Sequence, residues 1–463
     1  MKIIPLGAAG GEVTGSAYSV RTSQGSLLVD CGLFQGGRKS EELNHSPLPP
    51  GEPLDAVLLT HAHLDHIGRL PLLVRNGYTM PILGTPATLE MTRLILRDSA
   101  RVQASDAERK NRKRLKNGEP PENPLYTAED VEKTLQLLRP APYGTPVPVA
   151  PGIEAIWAES GHMLGSTSIQ LTTRASGATR RVVFSGDIGP RGAPILRDFE
   201  SFRHADLVFL ESTYGDRDHR PYAETVSEFV ALVKAAVESG GKVLVPVFAV
   251  GRAQLVISLL AWMFRHGKVR PFPIFLDSPM AIEATEIYYR HQNLFDEEMQ
   301  EFLRERPLRA DLTTLTNCVT AEESKAINDF PGSCLILAGS GMCTGGRILH
   351  HLKAHLWKPE TQVLIVGFQT EGTLGRRLVN GEPLVRIFGE EVAVKAQIHT
   401  LGGFSAHAGQ TDLLAWLEVM AASHPRVALT HGENDQRKGL AAAIERRFRL
   451  QARLPVLGET IEV

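Results

Sequence analysis

The hydrophobic positions follow one pattern in the first part of the chain. Short apolar runs alternate there with turns rich in glycine, as in Met1 to Leu6 and Ala56 to Leu59. Runs of this length and spacing are typical of strands. We predict further strands at residues 16–20, 26–30, 153–158, 168–173, 181–185 and 207–211. Longer stretches with helical spacing predict helices at residues 67–75, 91–117 and 127–138.

After Glu211 the pattern changes to a regular alternation of helices and strands. Amphipathic helices are predicted at residues 223–239, 252–264, 281–291 and 295–305. Apolar strands are predicted at residues 242–247, 273–276, 333–338 and 362–366. Strand followed by helix, repeated, predicts a parallel α/β sheet. We assign residues 1–211 to a first domain, 212–394 to an inserted domain and 395–463 to the return of the chain to the first domain.

Composition and charge narrow the class of protein. With 463 residues, 43% of them hydrophobic and 22% charged, the chain is expected to be soluble and globular. The net charge of −2 gives no overall attraction to nucleic acid, so any contact with RNA would have to come from local basic surface. No apolar run approaches the roughly 18 residues of a membrane span, and the N-terminus lacks a signal-peptide core. We therefore expect a cytoplasmic protein, and the sequence does not fix its oligomeric state.

The cysteines and one basic stretch give weaker signals. Cys31, Cys318, Cys334 and Cys343 are far apart and form no CxxC pair, so we expect buried thiols rather than a disulfide framework or a zinc knuckle. Six basic residues lie between Arg109 and Lys116. They are interpreted as a solvated helix end, with an RNA-steering patch as the alternative.

The segment HAHLDH, from His61 to His66, carries the clearest chemistry. It follows an apolar run, and an extended backbone places His61 and His63 on one side. The turn after them can bring Asp65 and His66 to a second centre. Imidazole mixed with carboxylate is the pattern of hydrolytic metal sites rather than of closed structural ones. The segment is interpreted as half of a two-metal site, the alternative being a surface turn rich in histidine.

Three further residues have the setting of site residues. Asp30 ends the apolar run LLVD, where a turn-capping role is the alternative. His162 lies between Gly161 and Gly165, although a lone histidine is usually an ordinary polar residue. Asp187 follows the strand predicted at residues 181–185, so its carboxylate is expected at the same sheet edge as the histidines.

These motifs resemble those of the metallo-β-lactamase superfamily and, within it, the β-CASP group of nucleic-acid processing hydrolases. HxHxDH, SGHMLGS and FSGDIG match the superfamily's motifs in order, and FLEST, FSAHA and LTHGE match motifs A, B and C of the β-CASP group. The resemblance implies an αββα sandwich interrupted by a parallel-sheet α/β β-CASP domain. Its pieces GRAQ, SPM and SGM are similar to the branch that contains the endonuclease subunit of messenger-RNA 3′-end cleavage and its prokaryotic relatives.

The resemblance also implies roles for the site residues. Two zinc ions are expected per chain, with Asp187 shared because a carboxylate can bridge two cations. The first ion takes His61, His63 and His162, and the second takes Asp65, His66 and His431. A bridging hydroxide is the expected nucleophile. His407 is the expected general acid, with ground-state phosphate binding as its alternative, and Glu211 is expected to hold its tautomer. Asp30 is expected to orient a ligand histidine.

Turns rich in glycine and small polar residues follow several predicted strands of the insert. Backbone amides at such turns form anion sites at the carboxyl ends of parallel strands, although plain turn chemistry is the alternative for each of them. The expected substrate-binding residues are Arg252, Ser278, Ser340, Gly341, Thr373 and Arg376. With the resemblance, they imply binding across the cleft between the domains. No phosphate-binding motif for a nucleotide cofactor is present in the sequence.

The predicted function is that of a zinc-dependent endoribonuclease acting on single-stranded RNA. A histidine at motif C, His431, is typical of the RNA-processing branch. Products with 5′-phosphate and 3′-hydroxyl ends are implied by the resemblance. The nearest alternative is a 5′-to-3′ exoribonuclease; a catalytically inactive RNA-processing scaffold and a small-molecule hydrolase are more distant ones. The RNA sequence preference and the metal used in the cell stay open, since manganese can occupy similar ligand sets.

Overall fold

The computed structural model describes residues 1–36, 40, 42–45, 47–48, 51–175 and 178–463. The chain forms two compact units. The first contains residues 1–192, 197–218 and 407–463, and the second contains residues 193–196 and 219–406. The first unit is thus discontinuous along the chain, with segments that precede and follow the second unit in sequence. The sequence placed the limits of the inserted domain at 212 and 394, and those domain limits stay a prediction.

The strands of the described residues are short, and the first unit contains those at both ends of the chain. In chain order they are β1 (Lys2–Pro5), β2 (Tyr18–Arg21), β3 (Ser26–Val29), β4 (Ala56–Leu58), β5 (Ile82–Gly84), β6 (Leu138–Pro140), β7 (Val147–Ala150), β8 (Ile153–Glu159), β9 (Thr167–Ala175), β10 (Ala178–Phe184), β11 (Leu207–Glu211), β12 (Lys242–Pro246), β13 (Ile274–Asp277), β14 (Leu315–Asn317), β15 (Cys334–Ala338), β16 (Gln362–Ile365), β17 (Leu384–Ile387), β18 (Glu390–Ala393), β19 (Gln397–Thr400), β20 (Arg426–Thr430), β21 (Ala452–Arg453) and β22 (Ile461–Glu462).

The helices include one long helix in the first unit and a series of shorter ones in the second. In chain order they are α1 (Leu64–Ile67), α2 (Leu70–Arg75), α3 (Pro86–Lys116), α4 (Ala128–Leu135), α5 (Tyr222–Ser239), α6 (Arg252–Arg265), α7 (Pro279–Arg290), α8 (Glu297–Glu305), α9 (Leu308–Asp311), α10 (Ala321–Asn328), α11 (Ile348–His355), α12 (Leu374–Val379), α13 (Gln410–Ala421) and α14 (Asn434–Phe448). Two 3₁₀ turns lie at Gln292–Leu294 and Gly402–Phe404.

Two sheets form the centre of the first unit. One has the order β22-β1-β2-β3-β4-β5-β6 and the other the order β21-β20-β11-β10-β9-β8-β7. Side chains of both sheets share one buried core, including Val20, Leu58, Trp157 and Phe209. A second core joins the outer face of the β20-containing sheet to α13 and α14, where Trp416 is fully buried. The predicted sandwich architecture is confirmed.

Parallel pairing determines where the chemically important residues lie. In one sheet β3 pairs with β4 in parallel, so the segments after Val29 and Leu58 leave the same edge. In the other sheet β11 pairs in parallel with both β10 and β20, with Glu211 opposite Thr430. The residues that follow these strands therefore emerge together at the carboxyl ends of the strands.

The second unit contains the predicted parallel sheet. Its strand order is β14-β13-β15-β12-β16-β19, and every neighbouring pair is parallel. Buried aliphatic side chains such as Leu244, Ile336 and Val363 form its core with residues of α11. An antiparallel hairpin, β17 with β18, is attached to this unit.

Several predicted boundaries differ from the structure for local reasons. The helix predicted from residue 91 begins at Pro86, because Thr85 caps it and proline is well suited to the first helical turn. The helix predicted at 127–138 ends at Leu135, and Leu138–Pro140 pairs with β5 instead. These two strands, β5 and β6, were missed because each has three residues and no alternating pattern.

The structure also places the residues that gave weak sequence signals. The four cysteines are buried free thiols, as predicted. Arg109 pairs with Asp106 and Arg112 with Glu108, so acidic neighbours on the same helix partly neutralise the basic run. The interpretation as a solvated helix end stays a prediction. Among the described helices, none combines the length and apolar character needed to cross a membrane.

Candidate metal centre

Asp187 lies between two groups of side chains that could each hold a metal ion. His61, His63 and His162 form the first group with Asp187. His61 Nε2 lies 3.4 Å, and His162 Nε2 3.5 Å, from Asp187 Oδ2. The two ring nitrogens also lie 3.2 and 3.0 Å from His63 Nδ1. Three imidazole nitrogens and one carboxylate oxygen thus converge on one small volume.

The second group lies on the side of the other carboxylate oxygen. His66 Nε2 and His431 Nε2 are 3.1 Å apart, and they lie 3.4 and 3.5 Å from Asp187 Oδ1. Asp65 Oδ2 lies 3.5 Å from His431 Nε2. Asp65, His66 and His431 therefore form a second set of donors. Each oxygen of Asp187 faces a different set.

The donor sets fit divalent metal ions. Asp187 Oδ1 is buried and, within the described part of the chain, has no hydrogen-bond partner. Such an atom is costly to bury unless something else satisfies it. Burial opposes ionisation, yet His431 and His66 hold the pKa of Asp187 well below its ordinary range. Burial, assisted by His61, lowers the pKa of His63 to about 3, which keeps that ring neutral and able to coordinate.

Asp30 contacts His66 at Nδ1, the ring nitrogen that does not face Asp187. It follows β3 with φ of +57°, a left-handed backbone that is unusual for a residue other than glycine. His66 Nδ1 lies 2.8 Å from Asp30 Oδ2, while Thr60 donates its backbone N–H and its hydroxyl to the two Asp30 oxygens at 2.8 Å. When the proton of His66 is on Nδ1, the unprotonated Nε2 faces His431 and Asp187 and is free to coordinate a metal.

His407 and Glu211 form a pair beside the first group. His407 Nδ1 lies 3.3 Å from Glu211 Oε1, and its ring centroid lies 4.5 Å from that of His162. Glu211 is buried and accepts hydrogen bonds from the backbone N–H groups of Ile188 and Thr213. Burial would lower the pKa of His407, but the Glu211 carboxylate raises it above its ordinary value. The imidazole keeps a partly exposed edge, since 23% of the side chain is accessible.

The ten residues predicted for the two metals, for the acid–base step and for orienting a ligand histidine are thus brought together in the first unit. Thr60 was missed, because a threonine next to a histidine motif has no distinctive pattern. Its hydroxyl contacts Asp30 and lies 3.1 Å from His61 Nδ1, so it connects the orienting carboxylate to a predicted ligand. Thr213, 3.3 Å from His431 Nδ1, was missed for the same reason.

The predicted substrate-binding residues lie in the second unit, in loops or helix starts after its parallel strands. Ser278 caps α7 and accepts from Ala281 N at 3.3 Å, and Thr373 caps α12 and accepts from Arg376 N at 3.2 Å. Ser340 Oγ accepts from the backbone of Thr344 at 2.9 Å. Their hydroxyl oxygens are thus used in local turns.

The other three predicted residues have different surroundings. Arg252 begins α6. The Arg376 guanidinium lies beside Glu371, at 3.7 Å, and Gly341 lies against the ring of Phe248. A substrate-binding role for all six residues stays a prediction.

Comparisons with known proteins agree with this architecture. Residues 10–246 match the family model of the metallo-beta-lactamase superfamily, residues 253–378 that of the Beta-Casp domain, and residues 391–455 that of the Zn-dependent metallo-hydrolase RNA specificity domain. A solved structure of a protein of unknown function from Enterococcus faecalis V583 has a TM-score of 0.55 at 12% identity, covering 100% of this chain and 99% of that one, and shows the fold alone.

Curated relatives cover nearly the whole chain. Ribonuclease TTHA0252 of Thermus thermophilus is 43% identical over 100% of both chains. Transcription termination factor FttA of Cenarchaeum symbiosum is 33% identical over 99% of this chain and 71% of its own length. FttA of Pyrococcus abyssi is 30% identical over 98% of this chain and 70% of its own. The chain therefore belongs to the metallo-beta-lactamase superfamily and, within it, to the β-CASP family of metallo-hydrolase ribonucleases.

Proposed function

We propose that the chain is a zinc-dependent ribonuclease that hydrolyses phosphodiester bonds of single-stranded RNA, mainly at internal positions, with two Zn²⁺ per chain. The observation that carries the proposal is the pair of donor groups joined by Asp187, with the His407–Glu211 pair beside them. RNA as substrate is supported by the match of residues 391–455 to the Zn-dependent metallo-hydrolase RNA specificity domain. A relative named as a ribonuclease and alignable over the full chain supports the same class.

The seven predicted ligands would hold the two ions. His61, His63 and His162 would hold one and Asp65, His66 and His431 the other, while Asp187 would be shared between them. When bound, such ions supply an activated water near neutral pH and neutralise charge on the phosphate oxygens. Asp30 keeps the His66 proton on Nδ1 and so fixes the ring's donor atom.

His407 is proposed as the general acid. Hydrolysis adds water across a P–O3′ bond, so the departing 3′ oxygen needs a proton. Glu211 accepts from Nδ1–H of His407, which leaves Nε2 to give up that proton. Because the carboxylate raises the pKa of His407, the protonated ring is populated closer to neutral pH. The products carry 5′-phosphate and 3′-hydroxyl ends.

The experiment that tests this proposal is cleavage of single-stranded RNA by the zinc-loaded full chain. The RNA is labelled internally or at the 5′ end, the products are resolved by length, and His63→Ala is the control. Internal fragments that the control does not produce support the proposed endoribonuclease. Mononucleotides released from the 5′ end would replace it with an exoribonuclease, and RNA left intact would favour a binding protein without catalysis.

A further inference from the structure

Two phenylalanines are exposed at the carboxyl edge of the parallel sheet in the second unit. Phe248 follows β12 and is 40% exposed, and Phe368 follows β16 and is 49% exposed. The two strands are direct neighbours, with Val243 opposite Gln362. Ligands of parallel sheets bind outside the carboxyl ends of the strands. Both rings therefore lie where a ligand of this sheet is expected.

Glycines leave room for the first of these rings. A Cβ placed on Gly341 would lie 2.7 Å from Phe248 Cδ2, and one placed on Gly367 would lie 3.5 Å from Phe248 Cε2. The ring thus packs against the backbone of two neighbouring loops on one side. A side chain larger than hydrogen at Gly341 would displace it.

A buried glutamine fixes the loops around both rings. The amide nitrogen of Gln369, which is 4% exposed, lies 2.9 Å from the carbonyl of Gly341 and 3.1 Å from the carbonyls of Gly367 and Phe368. A surface held in this way pays little conformational entropy when a ligand binds.

A positive charge lies next to the second ring. The guanidinium carbon of Arg376 is 5.8 Å from the centroid of Phe368. Aromatic rings for successive bases, combined with arginine for the backbone or for cation–π contact, are the usual way in which proteins hold single-stranded nucleic acid. The chemistry of this edge thus fits a flexible polyanion with planar bases better than an apolar partner.

We propose that Phe248 and Phe368 stack on nucleobases of a single-stranded RNA. This inference rests on the proposed function, because it takes RNA as the substrate class. It adds a sequence-tolerant contact with the bases to the contacts expected for the phosphates. Every base has a π face, so the contact retains the strand without selecting a sequence.

The test measures binding of oligouridylate about 12 nucleotides long and of an abasic oligoribose of the same length. Binding is measured with the full chain carrying Asp187→Ala, so that RNA is not consumed. Phe248→Ala, Phe368→Ala and the two corresponding leucine variants are added to this parent. Phe388→Ala, at an exposed phenylalanine of the β17–β18 hairpin, is the matched control. Thermal unfolding identifies any variant that does not fold.

Each alanine or leucine variant at 248 and 368 is expected to weaken binding of the base-containing RNA about tenfold. Binding of the abasic strand and of the Phe388→Ala control should stay at the parent's level. Leucine keeps apolar volume without a π face, so a folded leucine variant separates stacking from packing. A 2-aminopurine base in the RNA should also be less quenched in these variants.

Equal losses for the abasic and base-containing strands, or no loss for either, would overturn the stacking proposal while RNA cleavage by the wild-type chain continues to support the proposed function. If the parent does not bind RNA and the wild-type chain does not cleave it, both proposals fail. The two failures are therefore distinguishable in one series of proteins.

Discussion

At the scale of residues, the two donor groups depend on Asp187, whose oxygens face different sets of side chains. Asp187→Ala and His63→Ala are expected to abolish metal binding and RNA cleavage together, because each removes a member of the proposed ligand set. Metal content per chain and cleavage of labelled RNA are the measurements. His45→Ala, at an exposed histidine outside the groups, is the control.

His407→Ala should separate chemistry from metal binding. We expect cleavage to fall about 10²- to 10⁴-fold, the contribution of a general acid, while both metals are retained. Rate and metal content are measured on the same preparation. Loss of one metal would contradict the acid role. It would instead favour His407 as a metal ligand together with Asp187 and Glu211, whose donor atoms also lie close together.

Glu159, which is not a member of the donor groups, gives a pH-dependent prediction. Burial, with a contribution from Glu200, raises the pKa of this carboxyl to about 7. A raised carboxyl pKa means that the folded state binds a proton more tightly than the unfolded one. Stability from this group is therefore present below its ordinary pKa and is lost as the pH rises through about 7.

Glu159→Gln should relieve that loss, because the amide oxygen can still accept from Gly161 N. Relative to the wild type, the free energy of unfolding of the variant is expected to increase by up to about 3 kcal/mol between pH 5 and pH 8. Urea denaturation at both pH values, with equal metal content, measures the difference. If the difference in free energy of unfolding between variant and wild type does not increase with pH, the wild-type carboxyl does not titrate in this range.

Several residues predicted for the site were recognised because a side chain able to bind metal or to hydrogen-bond follows a strand. His61, His162, Asp187 and Glu211 all follow or end such runs, and the structure brings them together. Thr60 and Glu159 were not predicted as site-shaping residues, since their importance depends on burial and on neighbours distant in sequence.

At the scale of elements, the start of helix α3 is connected to the loop that carries His162. Thr85 and Thr88 donate their hydroxyls to the carbonyl of Gly165, at 2.8 and 2.7 Å. Gly165 has φ of +89°, and a Cβ there would lie 2.6 Å from Thr88 N. The long helix therefore helps to fix the position of a predicted ligand.

Gly165→Ala is expected to lower the free energy of unfolding by about 1–3 kcal/mol from its backbone strain, with a further loss from the clash. It should also weaken metal binding by the first group. Gly118→Ala is the matched control, because Gly118 has φ of +72° with no atom within 4 Å of the added Cβ. Denaturation curves and metal content are compared. Equal effects of the two substitutions would contradict the role of this contact.

Elements were predictable where their pattern was long. The alternation of strand and helix in the second unit gave the parallel sheet, whereas the hairpin of β17 and β18 was missed. Val385, Ile387 and Val392 are buried on it, but charged residues interrupt both strands, so no apolar run marks them.

At the scale of the whole molecule, all donor groups found among the described residues belong to the first unit. Removing the metals by chelation should therefore destabilise the first unit, because binding to the folded state alone adds to its stability. Hydrogen exchange measured by mass spectrometry should show faster exchange around residues 61–66 and 426–431 and little change in β12 to β16. Equal acceleration in both units would contradict this assignment.

The discontinuity of the first unit has a consequence for the protein during its synthesis. Strand β20 pairs with β11 and is followed by His431, although more than 200 residues separate the two strands along the chain. A growing polypeptide that has emerged only as far as the second unit lacks this strand and one donor of the second group. Translation itself thus delays assembly of the complete centre until residues 426–431 have emerged.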